Sequence, residues 1–239
     1  LYHMGRYEDE LACYDKALEL KPDLAKAWNN KGATLYELGR YEEAVACYGH
    51  VLKAEPDNVN ALNNMGVALK KLKNFGEALR AFDRAIKQRE DYVDAWLNRG
   101  ILLQEMGRHP EAIVSYDRVL TRWRSPEVLC QKGTAQTAAG NYRGAIQSFD
   151  ESLALKPNWS VALEEKQKAE ALLREAGAAE AARAREEEER RRPVPQPVAE
   201  PETGDLCGKC GTELGPEAAF CSGCGTRIAD QDGEYLPPG

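Results

Sequence analysis

The sequence predicts an all-α fold, a stack of helical hairpins of the α-solenoid kind, followed by a small module held together by cysteines. Three observations predict it. A set of apolar and glycine positions recurs about every 34 residues through the first two-thirds of the chain. Within each period the apolar residues stand three and four apart, the spacing of one helical face. Near the end, four cysteines crowd into "CGKCGTELGPEAAFCSGCG" (207–225) as two Cys-x-x-Cys-Gly hooks.

The recurrence fixes the helices of the array. "WNNKG" (28–32) returns as "LNNMG" (62–66), "WLNRG" (96–100) and "LCQKG" (129–133), the last after a one-residue deletion. Ala44, Ala78, Ala112 and Ala145 keep step, and Tyr48, Phe82, Tyr116 and Phe149 follow four residues after them. "GRYEDELACYDKALELKP" (5–22) aligns with "GRYEEAVACYGHVLKAEP" (39–56), so the chain opens within a repeat. Each period reads as two helices joined by a glycine-containing turn: "ELGRY" (37–41), "EMGRH" (105–109), "AAGNY" (138–142). Glycine in the first helix and alanine in the second let the pair approach closely, and the large residues fill the space beside the contact. One pair cannot bury both faces; stacked pairs can.

These residues, W–x2–(L)G–x2–(Y/L)…G–x–Y–x2–A–x3–(Y/F)…P, resemble the tetratricopeptide repeat (TPR) family over residues 1–159, one partial repeat and four fuller ones. The resemblance implies a right-handed superhelix. Departures are local: Glu10 stands where alanine is usual, Lys73 replaces the turn glycine, Glu90 and Arg124 replace the terminal proline, and Gln136 and Ser152 weaken the last apolar face. Residues 160–192 continue as helix. Val161, Leu163, Leu172 and Leu173 are expected to dock on the last repeat. "AAEAARAREEEERRR" (178–192) sets Glu186, Glu187 and Glu188 four residues before Arg190, Arg191 and Arg192, as on a solvated helix. "PVPQPVAEP" lies in a linker, 193–205, either an extended spacer or a ligand for a proline-reading domain.

The hooks come next. Each can offer two thiolates to one ion, and four make the closed tetrahedral site of structural zinc. Gly211 and Gly225 allow the backbone to curl toward sulfur. Leu214 and Phe220 are too small a core to fold residues 206–228 unaided, so a bound ion, expected to be Zn2+, would supply most of the stability; two disulfides or an iron site are the alternatives. The stretch resembles the short zinc-ribbon family of prokaryotic chains. Metal ligands are therefore expected at Cys207, Cys210, Cys221 and Cys224, with no open position for catalysis. A tail, 229–239, follows.

Composition narrows the function. With 43% hydrophobic and 30% charged residues the chain has a core to bury. A net charge of −7, and two basic against five acidic residues from 207 onward, oppose phosphate binding, so nucleic acid is disfavoured. No apolar run reaches membrane-spanning length. Seven cysteines, an odd number with three scattered, fit a reducing, cytoplasmic setting. The three histidines form no nucleophile motif, and no phosphate-cradling loop is present, so neither an enzyme nor a small-molecule substrate is expected. His109 holds a slot where Tyr41 and Tyr142 stand and reads as packing. Trp123, in the irregular joint before Ser125, either plugs that joint or anchors a partner.

The amides remain. Asn30, Asn64, Asn98 and Gln131 share the slot two residues before the glycine, facing the hollow side of the superhelix. An amide carries both donor and acceptor and can grip any peptide backbone. The TPR resemblance implies this use; the alternative is that the amides close local hydrogen bonds. Lys26 and Asn60 one turn earlier, with Asp94 and Glu127 in the same slot, and Tyr36, Lys70, Lys71, Gln104 and Glu105 later, would tune selectivity. The lysine and arginine set by which some family members hold a chain-terminal carboxylate is missing. The reading is a scaffold that binds a protein or peptide; a regulatory module of a larger complex in transcription or protein modification is the second, and nucleic-acid binding through the ribbon the third.

Overall fold

The computed structural model describes residues 2–192, 206–207, 209–214 and 220–227. The proline-rich linker at 193–205 and the tail at 229–239 lie outside the described residues. The chain divides into two compact units, 1–182 and 183–239. Among the described residues there are ten α-helices: α1 (Tyr2–Leu20), α2 (Ala25–Glu37), α3 (Tyr41–Ala54), α4 (Val59–Lys71), α5 (Phe75–Gln88), α6 (Val93–Glu105), α7 (His109–Leu120), α8 (Pro126–Ala138), α9 (Tyr142–Leu155) and α10 (Ser160–Arg191).

Helices α2/α3, α4/α5, α6/α7 and α8/α9 are hairpins, with α1 against α2. The first helix of each hairpin touches the first helix of the next, α2 to α4, α4 to α6 and α6 to α8, whereas α3, α5, α7 and α9 do not touch one another. The stack therefore curves with the first helices on its inner side. Each turn places one residue in the left-handed region, at Gly39 (φ 76°), Gly107 (φ 73°) and Gly140 (φ 78°), and Lys73 takes the same conformation at φ 58°. Inside each hairpin the glycine is a steric necessity: a Cβ on Gly66 would lie 2.6 Å from the Phe82 ring, and one on Gly32 2.7 Å from Tyr48. Tyr48, Phe82, Tyr116 and Phe149 are fully buried against these glycines.

A charge clamp crosses the hairpin boundaries. Asp15 pairs with Lys31, Asp83 with Arg99 at 2.7 Å, Asp117 with Lys132 at 2.7 Å and Asp150 with Lys166 at 2.7 Å. The same slots at the α3–α4 boundary hold Gly49 and Met65, and the clamp is missing there. The two departures from the terminal proline form ion pairs of their own. Glu90 lies 3.8 Å from Arg118, and Arg124 bonds Glu151 at 2.8 Å, so the same pair of slots carries opposite polarity in successive repeats.

Two expectations change. Gln136 and Ser152, which should weaken the last apolar face, are buried and satisfied: Ser148 donates to Gln136 Oε1 at 2.7 Å and Ser152 to Pro126 O at 2.8 Å. In α10 the docking residues are Ala162 and Ala169, both buried, while Val161 and Leu163 are 49% and 39% exposed and Leu172 and Leu173 are half-buried. The reason is register. Ala162 continues the slot of Ala27, Ala61 and Ala95, so α10 begins as the first helix of a further hairpin. The slots that would receive a second helix carry Gln167 where glycine stands and Glu170 where Leu35, Leu69 and Leu103 stand. That face cannot accept another hairpin, which ends the array.

In the second unit the hooks form two matched knuckles. Leu206 bridges Glu213 and Phe220 bridges Arg227. Cys207 N–H donates to Thr212 O and Cys221 N–H to Thr226 O, at 2.9 and 2.8 Å. Gly211 (φ 72°) and Gly225 (φ 69°) occupy the left-handed region that each curl requires.

Candidate functional site

The inner face of the first unit carries the amide row. Asn30, Asn64 and Asn98 are half-buried and Gln131 is exposed. Asn98 Nδ2 donates to Asn63 Oδ1 at 2.9 Å, across the α4–α6 boundary. Asn63 Nδ2 in turn approaches Asn64 Oδ1 at 3.5 Å. The row is thus stitched to a second amide one residue earlier, a participant that attention to the third position of each motif misses; the doubled asparagines of "WNNKG" and "LNNMG" carried the signal. In the preceding repeat the corresponding bond is unmade: Asn29 Oδ1 is buried without a partner among the described residues. Among the described residues the side chains of Asn30 and Gln131 make no hydrogen bond. Half the row is closed on itself and half is open.

The flanking residues divide similarly. Lys26 and Lys71 are exposed. Tyr36 is half-buried, and burial pushes its hydroxyl up while Lys71 pulls it down. Asn60 is spoken for, its Oδ1 accepting from the Tyr92 hydroxyl at 3.0 Å. Beside Gln131 a cavity of about 310 Å3 is lined by Ile101, Gln104, Glu105, Tyr116 and Gln131. Tyr116 donates to Gln104 Oε1 at 2.9 Å, which leaves the Gln104 amide as a donor, and Lys70 holds Glu105 at 3.2 Å. Beyond the cavity, the Ser125 hydroxyl holds the Glu127 carboxyl below its usual range.

Other expectations resolve plainly. Cys47 is buried and Cys13, in the same slot, is exposed. Burial pushes the Cys130 thiol up to about 11. His109 has its Nδ1 buried without a partner among the described residues, and Trp123 is 54% exposed rather than plugging the joint.

In the second unit the Sγ atoms of Cys207, Cys210, Cys221 and Cys224 all lie within 4.8 Å of one another. Cys207 and Cys224 lie 3.7 Å apart and Cys210 and Cys221 3.5 Å apart. A tetrahedral ion with sulfur at about 2.3 Å spaces its ligands about 3.8 Å apart, so four thiolates fit one ion with little movement. Cys207 and Cys221 are buried, and Cys210 and Cys224 are exposed. The two exposed sulfurs each meet a hydroxyl, Thr212 at 3.1 Å and Thr226 at 3.0 Å. The Thr226 hydroxyl, then its amide, brings the Cys224 thiol down to about 6. No helix of the described chain is long and apolar enough to cross a membrane.

Comparison with known families agrees with this geometry. TPR repeat models match residues 1–39 and 32–73, tetratricopeptide repeat models match 63–126 and 126–158, and a zinc-ribbon domain model matches 206–228. No curated protein matches the chain. Among solved structures, YrrB, a TPR protein with an unusual peptide-binding site, is 26% identical with a TM-score of 0.60, over 70% of this chain and 87% of its own. The C-terminal part of a TPR repeat-containing protein from Cytophaga hutchinsonii is 20% identical with a TM-score of 0.64, over 74% of this chain and 70% of its own. MamA from Desulfovibrio magneticus is 19% identical with a TM-score of 0.54, over 66% and 96%. The last two show the fold alone.

Proposed function

From the premise that the chain belongs to the tetratricopeptide repeat family and carries a zinc-ribbon domain, we propose that it is a non-enzymatic scaffold. It holds an extended peptide segment of a partner protein along the inner face of the array. The observation that carries this reading is the row of amides on that face, part of it left without internal partners. Asn30 and Gln131 would bind backbone groups of the peptide directly, and Asn64 and Asn98 would do so with the bonds their network leaves over. Lys26, Asn60, Tyr36 and Lys71 would flank the peptide. YrrB, by its description a peptide-binding TPR protein, supports the reading by likeness.

Cys207, Cys210, Cys221 and Cys224 would hold one structural Zn2+. The ion would cross-link the two knuckles and provide the folding energy that so small an apolar core lacks. Thr212 and Thr226 would steady the exposed thiolates. With four sulfurs as ligands the ion would keep no position for substrate.

The test is affinity for a partner captured by the unmodified chain and reduced to its binding peptide. Asn30→Ala combined with Asn64→Ala should weaken it roughly thirtyfold, two charge-neutral hydrogen bonds being worth about 1 kcal/mol each, with the thermal midpoint nearly unchanged. Unaltered affinity would remove the amide row from the account.

A further inference from the structure

A second cavity in the first unit touches none of the amides. It measures about 410 Å3 and is lined by Arg89, Glu90, Asp91, Val93, Trp96, Arg118, Thr121 and Arg122. It lies between the loop that enters α6 and the end of α7.

The chain contains its own control for this cleft, one repeat earlier. There Arg84 donates to Pro56 O at 2.9 Å and Gln88 to Asp57 at 2.6 Å, and the two bonds draw the loop against the helix. The matching slots here hold Arg118 with Glu90 and Arg122 with Asp91. Here, among the described residues, Arg118 bonds no carbonyl of the loop. Trp96 Nε1 donates to Glu90 O at 2.8 Å, whereas Leu62 in the earlier repeat has no such donor. Arg118 is left 5.9 Å from the Trp96 ring centroid and 3.8 Å from the Glu90 carboxylate, a loose pairing. Arg122 makes no ion pair or side-chain hydrogen bond among the described residues, and Arg89 spends its guanidinium on the Tyr92 ring at 4.2 Å.

Three guanidiniums, two of them without a carboxylate partner among the described residues, thus line a cleft together with Val93 and Trp96 in a chain whose net charge is −7. An arginine so placed is a ready carboxylate receptor. Two rim carboxylates, Glu90 and Asp91, leave the lining one positive charge in surplus, which suits a single carboxylate rather than a doubly charged phosphate. Next along the chain, Trp123 offers a 54% exposed ring for an apolar neighbour.

We propose that this cleft is a second peptide-contact site, separate from the amide row, which receives a glutamate or aspartate side chain of a partner with an apolar residue beside it. Arg118 and Arg122 bind the carboxylate, Trp96 forms the wall, and Trp123 takes the apolar neighbour.

The test uses the full chain and a fluorescein-labelled, amidated hexapeptide of alternating glutamate and leucine, with its glutamine counterpart, read by anisotropy at low salt. The glutamate peptide should bind more tightly. Arg122→Gln should weaken it roughly three- to fivefold, as expected for one partly exposed charge pair. Arg84→Gln, in the corresponding slot one repeat earlier, should leave it unchanged, and the amide row, which grips backbone only, would hold both peptides alike, so the preference for glutamate reports on this site and not on the inner face. No binding, equal binding of the two peptides, or indifference to Arg122→Gln would overturn the proposal. Tighter binding of a phosphoserine-containing peptide would overturn the choice of a carboxylate.

Discussion

At Lys73 the chain forces a side chain into a conformation that three glycines hold elsewhere in the array. An L-residue in the left-handed region costs about 1 kcal/mol. Lys73→Gly should therefore raise stability by about 0.5–1 kcal/mol in urea titration, since the strain lost exceeds the added freedom of the unfolded chain. The reverse change at Gly66 should be costly: its Cβ would press into Phe82, and Gly66→Ala should lose about 1–3 kcal/mol. Thiol chemistry separates the cysteines outside the ribbon. In the native protein at pH 8 an alkylating reagent should modify Cys13, while Cys47 and Cys130, buried and with raised thiols, react only after unfolding. The repeated letters gave these packing residues away in the sequence. The amide network was legible only in part, because sequence spacing shows which residues share a slot but not that Asn98 reaches past its own helix to Asn63.

At the scale of elements, the hairpins follow from the glycine–aromatic contact, and their boundaries are reinforced by the clamp between successive pairs. The gap in that clamp falls on α3. Gly49 lies inside the helix, and a Cβ there would meet open space. Gly49→Ala should stabilise by about 0.5–1 kcal/mol, seen as a higher urea midpoint with an unchanged slope. The helices were legible because their apolar period is regular across copies. The end of the array was not read correctly, because α10 uses alanines to dock. Val161 and Leu163 looked like core by hydrophobicity, yet register places Ala162 and Ala169 inward. The ion pairs of Glu90 and Arg124 were equally hidden: each is a departure in sequence and acquires a meaning only from the residue facing it across the boundary.

At the scale of the molecule, the array draws its stability from neighbour contacts between hairpins, whereas on the proposed reading the ribbon would depend on a bound ion. Chelation by excess EDTA should release one equivalent of zinc and expose four reactive thiols while the helical signal at 222 nm holds. Loss of that signal along with the metal would contradict two independently stable parts. The family and the cysteine hooks were open to reading from the sequence. The arginine-lined cleft was not, since Arg84 and Arg118 share a slot and only the structure shows that the first bonds a loop carbonyl and the second does not. The central claim, that the inner face holds a peptide through its amides, is tested most directly by the side-chain NH2 resonances of Asn30, Asn64, Asn98 and Gln131. On titration with a bound partner peptide they should shift in step with saturation. A saturated complex in which all four stay in place while other surfaces respond would contradict it.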